Sequence, residues 1–82
     1  MKIKVKFFAV LREKAGVDSL TIDMDNGTRL TDLKKYLSER FWNKMKIDRG
    51  VAVAVNGEVT NKDARLSDGD EIAFLPPVSG GL

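Results

Sequence analysis

The chain has 82 residues, with 14 Lys and Arg, 12 Asp and Glu, and neither His nor Cys. A chain of this length forms one small domain around a single core. The missing residue types exclude disulfides, thiol nucleophiles, imidazole bases and thiolate or imidazole metal sites. Because the carboxylates are not clustered either, we expect no metal site and no autonomous active site.

The net charge of +2 is small, and acidic residues are interspersed with basic ones along nearly the whole chain. A nucleic-acid-binding surface would cluster Lys and Arg and interleave aromatic residues, so we expect no nucleic acid as a partner. The longest apolar runs, from Phe7 to Leu11 and from Val51 to Val55, are too short to span a bilayer. We therefore expect a cytoplasmic protein without a membrane partner, and the lack of Cys agrees with this.

The first half of the chain predicts two strands joined by a short helix. Strict alternation places three apolar residues on one face of the first strand and Phe8 on the other, with the lysines. Residues 9–15 fit one or two helical turns, which Gly16 stops as a left-handed cap. The second strand alternates Leu20, Ile22 and Met24 and closes at the turn signal Asp25-Asn26-Gly27.

One long amphipathic helix is predicted from about Thr28 onward. Its apolar stripe follows helical spacing and comprises Leu30, Leu33, Leu37, Phe41 and Met45. Thr28 and Thr31 are both candidate N-caps, and the sequence does not decide between them. Trp42 lies one step off the stripe, where we expect it to cover the sheet edge.

The second half predicts three strands. Residues 51–55 have strand composition, and Asn56-Gly57 predicts a type I′ turn into a short fourth strand. After an irregular connection, Asp68-Gly69 predicts a tight turn before the last strand, residues 71–75, which buries Ile72 and Phe74. Pro76-Pro77 then ends strand pairing, because proline has no N–H to donate.

This order of elements predicts an α+β fold of the β-grasp type, in which a mixed five-stranded sheet carries one long helix on one face. The first and last strands should lie side by side and parallel in the centre of the sheet. The helix should cover the face that bears Ile3, Val5, Phe7, Ile72 and Phe74. We expect residues 1–77 to form the domain and residues 78–82 to form a flexible C-terminal tail.

The tail carries the specific signal. After the rigid Pro-Pro spacer come Val78, Ser79, Gly80, Gly81 and Leu82. Consecutive glycines have no side chains to collide with the walls of a tunnel and can adopt dihedrals that other residues avoid. Such a tail can bring a carboxylate close to the active site of a partner.

From Leu66 to Gly81 the sequence resembles the small subunit of molybdopterin synthase, a ubiquitin-like sulfur carrier family. The opening stretch from Phe7 to Gly16 and the hairpin from Val55 to Val59 resemble that family too. The resemblance implies that a separate ubiquitin-activating-like adenylyltransferase uses ATP to activate the Gly81 carboxylate, which then becomes a thiocarboxylate. The large subunit of the synthase, a heterotetramer, would take in the tail. There the sulfur passes to cyclic pyranopterin monophosphate to build the dithiolene of the molybdenum or tungsten cofactor.

In this reading the chain is a non-catalytic carrier that binds no cofactor itself. The family pattern ends at the second glycine, whereas this sequence continues to Leu82. Either Leu82 is removed by processing, or it is an added residue, or the chain does not carry sulfur in this form. We expect one of the first two, since everything before Leu82 stays in register with the family.

Strand alternation also predicts a docking surface. Phe8 and Leu75 should both point to the sheet face opposite the long helix, and Val59 on the hairpin can join them. The alternative is that neighbouring Lys stems cover these side chains. The resemblance makes this patch the contact with the large subunit, and makes Arg12 and Asp68 polar contacts for the activating enzyme.

Three alternative functions stay open at the level of sequence. Thiamin-pathway and cysteine-pathway sulfur carriers share the fold, the Gly-Gly ending and the activation chemistry. A ubiquitin-like modifier would pass the same activated glycine to a lysine of a target protein. A plain β-grasp binding module would carry the tail incidentally.

Overall fold

The structure is a computed structural model, and it describes residues 1–40, 51–60 and 62–75. The elements in order are β1 (Lys2–Phe7), α1 (Ala9–Ala15), β2 (Ser19–Asp23), α2 (Leu30–Arg40), β3 (Ala52–Val55), β4 (Glu58–Thr60) and β5 (Glu71–Leu75). Every strand and both helices that the sequence predicts are present. The predictions for Phe41, Trp42, Met45 and the tail lie outside the described residues.

The five strands form one mixed sheet in the order β2-β1-β5-β3-β4. The central strands β1 and β5 run parallel, with Val5 opposite Ile72 and Phe7 opposite Phe74. The three other strand pairs are antiparallel. The predicted β-grasp arrangement is therefore confirmed, with the first and last strands adjacent at its centre.

The core lies between α2 and one face of this sheet. Leu30, Leu33 and Leu37 on α2 are buried, together with the inward residues of the central strands, Ile3, Val5, Phe7, Ile72 and Phe74. Phe7 and Phe74 stack with ring centroids 6.3 Å apart. Burying one such side chain contributes about 1.5–3 kcal/mol, so this single layer supplies most of the favourable folding energy of the small domain.

Two predicted turns have the expected backbone. Gly16 ends α1 with φ 80° and donates its N–H to Arg12. Asn56 and Gly57 both have positive φ, 51° and 84°, as a type I′ turn requires. The side chain of Asn56 also accepts a hydrogen bond from the N–H of Glu71 and donates one to Asp70, each 2.9 Å long, so this turn is tied to the start of β5.

Both cap predictions for α2 are wrong. The helix begins at Leu30, and the carboxylate of Asp32 accepts the N–H of the preceding Arg29 at 2.9 Å. The N–H of Thr31 donates to the side chain of Asp63 at 2.9 Å, whereas the Thr28 hydroxyl donates to the carbonyl of Asp25. The cap comes from distant residues because the connection before β5 runs alongside the start of the helix. There the Leu30 N–H donates to the carbonyl of Ala64.

This distant cap predicts a pH dependence of stability. Hydrogen bonds from the side chain and backbone of Thr31, together with the positive charges of Arg29 and Lys34, lower the pKa of Asp63 in the folded state. A lowered folded pKa means that the ionised carboxylate stabilises the fold above the unfolded pKa, and that this stability is lost as the pH falls below about 4. We expect Asp63→Asn to reduce the fall of the melting temperature at acidic pH, and Glu39→Gln on α2 to leave that fall unchanged. An equally steep fall in Asp63→Asn would contradict this assignment.

Candidate functional site: the sheet face opposite the long helix

The candidate site lies on the sheet face opposite α2, called here the far face. Because side chains alternate along a strand, the residues between the buried ones of each strand point to this side. β1 contributes Lys4 and Lys6, whereas β5 contributes Ala73 and Leu75. The far face is thus charged on β1 and mostly apolar on β5.

The apolar residues of the far face form one continuous patch. Ala73 on β5 lies opposite Ala54 on β3, and Ala54 in turn lies opposite Val59 on β4. In the next row towards the end of β5, Leu75 lies opposite Ala52. Phe8 follows Phe7, the last residue of β1, which lies opposite Phe74. Since the backbone of Phe8 is still extended, one further step brings it to the level of Leu75. We call this surface the apolar patch; it comprises Phe8, Ala52, Ala54, Val59, Ala73 and Leu75.

The large residues of the patch are accessible. Phe8 is 43% exposed and Val59 is 66% exposed, and both belong to the small set of exposed large apolar residues in the described part of the chain. Leu75 is half-buried. The structure therefore places Phe8 and Leu75 at the same end of the two central strands, and their part in docking stays a prediction. Val59 lies on β4, three strand spacings from β1 and so roughly 14 Å across the sheet from Phe8. The alanines of the patch lie between Val59 and the Phe8–Leu75 pair.

The backbone of Phe8 is well anchored. Phe8 remains extended, with φ −124° and ψ 151°, and immediately precedes α1. Its carbonyl accepts the N–H of Leu11 at 3.0 Å and that of Arg12 at 3.4 Å. Because Leu11 is buried in the core, the exposed aromatic side chain of Phe8 projects from a fixed point of the backbone.

Ion pairs border the patch on the β1 side. Lys6 pairs with Glu71 at 3.3 Å, and Arg12 pairs with Asp18 at 3.6 Å. Such exposed pairs add little stability, so these side chains can exchange partners when another protein docks. Arg12 also lines a small surface pocket together with Phe8, which places it at the edge of the patch.

Asp68 lies at the opposite end of the sheet from Arg12. Its side chain accepts the N–H of Lys2 at 2.7 Å, at the start of β1, whereas Arg12 lies just beyond the end of that strand. Over the length of β1 the two are separated by roughly 17 Å. Asp68 holds the turn before β5 against β1, and a partner that contacts both residues must extend along the whole strand.

The last described strand ends close to Phe8 and Arg12. β5 runs parallel to β1, so its last residue, Leu75, lies at the same end of the sheet as these two residues. The predicted tail residues Val78, Ser79, Gly80 and Gly81 lie outside the described residues. Any segment that follows Leu75 therefore starts beside the apolar patch.

The described residues hold no group of three or more acidic, His or Cys side chains that could bind a metal ion. Within the same ranges, no helix has both the length and the apolar character needed to cross a bilayer.

Sequence reasoning missed the alanines of the patch. Ala52, Ala54 and Ala73 are small and carry no signal individually, but strand pairing places them in neighbouring rows between Val59 and the Phe8–Leu75 pair. The alternation of β3 and β5 contained the necessary information, since each alanine lies between two inward-facing residues. Without the register, these alanines could not be connected to Val59.

Comparisons with known proteins agree with the fold. The sequence profile of the ThiS family matches residues 5–81. The molybdopterin synthase sulfur carrier subunit of Escherichia coli is 38% identical over 81 residues, covering 96% of this chain and 99% of that protein.

Two solved structures are similar over nearly the whole chain. Small archaeal modifier protein 1 of Haloferax volcanii superposes with a TM-score of 0.85 at 29% identity, covering 99% of this chain and all of that one. A subunit from the complex of subunits 1 and 2 of the molybdopterin-converting factor of Helicobacter pylori superposes with a TM-score of 0.72 at 30% identity, covering 99% and 100%. On the strength of these full-length matches, the chain belongs to the ThiS family and, within it, groups with the molybdopterin synthase sulfur carrier subunits.

Proposed function

We propose that this protein is the sulfur carrier subunit of a molybdopterin synthase, with the carboxylate of Gly81 as the group that carries sulfur. Cyclic pyranopterin monophosphate is the proposed acceptor, and the product is the dithiolene of molybdopterin. The observation that carries the proposal is the family match, which runs from residue 5 through Gly80 and Gly81. A relative that is 38% identical over its full length has this function in its name.

The chemistry suits a chain without catalytic groups. A carboxylate is a poor electrophile, so an adenylyltransferase must first transfer AMP from ATP to it and release pyrophosphate. A sulfur nucleophile then displaces AMP and leaves a thiocarboxylate in place of the carboxylate. Each of these steps takes place in a partner's active site, and the carrier supplies only a reachable terminus and a surface for recognition.

The proposed partner for sulfur delivery is the large subunit of the synthase, which would dock on the apolar patch. The support for this is the position of Leu75, which belongs to the patch and is followed in the chain by Pro76-Pro77 and then the tail. A partner that covers Phe8 and Leu75 would therefore receive the tail close to its own surface. The adenylyltransferase would contact Arg12, which lies at the same end of the sheet. To contact Asp68 as well, it must extend along the whole of β1.

The proposal predicts a specific change in mass. A protein ending at Gly81, incubated with its adenylyltransferase, ATP and a sulfur donor, should gain the mass of one sulfur in exchange for one oxygen. A chain ending at Gly80 serves as the control. It should stay unmodified, because the terminus then falls one residue short of the attacking sulfur. An unchanged intact mass for the protein ending at Gly81 would refute the carrier function.

The same experiment separates the remaining alternatives. Sulfur transfer from the thiocarboxylate to the pyranopterin in the presence of the large subunit identifies the molybdopterin pathway. Transfer only to a thiamin or cysteine precursor would identify one of the other carriers. An isopeptide bond from Gly81 to a lysine of another protein would identify a modifier.

A further inference from the structure

The link between β1 and α1 contains an unusual backbone conformation. Among the described residues other than glycine, only Ala9 and Asn56 have positive φ, and both have a value of 51°. Asn56 has this conformation within its type I′ turn, and its side chain is hydrogen-bonded there. Alanine has no polar side chain to compensate, and its Cβ makes the left-handed region unfavourable. Ala9 is therefore a strained residue.

The surrounding structure forces this conformation on Ala9. On one side, Phe8 continues the extended backbone of β1, and on the other Leu11 is 5% exposed and belongs to the core. The Leu11 N–H donates to the Phe8 carbonyl at 3.0 Å, so the chain reverses from strand to helix within a single residue. Since the chain is held at Phe8 and at Leu11, the backbone of Ala9 makes the change of direction. Strain that is held in place in this way is concentrated at functional sites in proteins.

We propose that Ala9 is a positioning residue whose strained backbone restricts the Phe8 side chain, which the alternation of β1 turns to the far face, before a partner docks. The proposal rests on the proposed function, because it takes the large subunit as the partner that covers Phe8. A residue that is ordered in advance loses less entropy on binding, and this raises affinity.

The choice of alanine supports this reading. Glycine adopts positive φ without steric cost, and it is the residue at four other positive-φ positions, Gly16, Gly27, Gly57 and Gly69. At position 9 glycine would relieve the strain but would also open many other conformations to the residue that follows Phe8. Alanine keeps the link stiff at a cost in stability. The Ala9 side chain is exposed, so its methyl group makes no core contact that would offset this cost.

The test compares stability with affinity in three proteins. The first is the unmodified chain, the second is Ala9→Gly, and the third is a chain made by chemical ligation with D-alanine at position 9. D-alanine favours positive φ and keeps a Cβ, so it relieves the strain without loosening the link. The probe is the large synthase subunit of the same organism, with dissociation constants and off-rates measured for each protein.

We expect Ala9→Gly to raise the melting temperature by about 2–6 °C while weakening binding about three- to tenfold, mainly through faster dissociation. D-alanine should raise the melting temperature at least as much and leave affinity within about twofold of the unmodified chain. The control is Ala15→Gly, near the end of the same helix, where glycine should lower the melting temperature and leave affinity unchanged.

Two results would overturn the role proposed for Ala9 and leave the proposed function intact. Ala9→Gly could bind as tightly as the unmodified chain, or its melting temperature could fail to rise. If the unmodified chain does not bind the large subunit at all, the proposed function is wrong, and the Ala9 proposal falls with it. The mass experiment on Gly81 is independent of Ala9, so it identifies which of the two has failed.

Discussion

A Phe8→Asp variant should bind the large synthase subunit roughly 30- to 1000-fold more weakly than the unmodified chain, because a charge would replace the largest aromatic anchor of the apolar patch. Phe8 is 43% exposed, so the substitution removes little buried area from the core. We therefore expect cooperative unfolding at close to the original melting temperature. Titration calorimetry with the large subunit and thermal melting of the isolated chain measure the two effects separately.

The control for this variant is Val17→Asp. Val17 is 39% exposed, close to the value for Phe8, but it lies in the loop between α1 and β2 and outside the apolar patch. It should leave affinity nearly unchanged. Loss of cooperative unfolding in Phe8→Asp would show that Phe8 belongs to the core. Unchanged affinity would show that the docking surface lies elsewhere.

The largest expected effect on stability is that of Phe74→Ala. Phe74 is completely buried, lies opposite Phe7 on β1 and Val53 on β3, and stacks on the Phe7 ring. Removing such a side chain costs about 3–5 kcal/mol. The whole free energy of unfolding of a domain this small is about 4–12 kcal/mol. Urea unfolding should accordingly show that Phe74→Ala loses between about a quarter and all of this free energy, with a much lower midpoint concentration of urea.

The next residue along β5 supplies the matched control. Leu75 faces the opposite side of the sheet and is half-buried. Leu75→Ala should cost about 1–2 kcal/mol, clearly less than Phe74→Ala, since Leu75 keeps part of its surface in water, but it should weaken binding of the large subunit. Comparable destabilisation by both variants would contradict the assignment of these two neighbours to opposite faces.

Much of the fold could be predicted from local signals. Alternation marked the inward faces of β1 and β5, the spacing of the leucines marked α2, and Asn56-Gly57 marked the hairpin turn. These signals suffice because side-chain direction in a strand or helix follows from backbone geometry alone. The same rule places Phe8 and Leu75 on the far face, and their part in docking stays a prediction.

Most of the missed features depend on residues far apart in sequence. Asp63 caps α2 from 32 positions away, so no helix-start pattern near Thr28 or Thr31 could reveal it. The contact of Asp68 with Lys2 at the start of β1 likewise joins residues 66 positions apart. The positive φ of Ala9 has no sequence signal at all, because alanine disfavours that conformation and adopts it only when both neighbours are held.

The sequence shows a chain without thiol or imidazole groups, in which a β-grasp pattern is followed by a Gly-Gly pair. Composition and periodicity are local properties of the chain, so they are readable without coordinates. The tertiary structure was needed to bring Phe8, Leu75, Val59 and three alanines into one surface beside the end of β5. The physical reason is that strand order and register, which long-range pairing sets, determine which faces become neighbours.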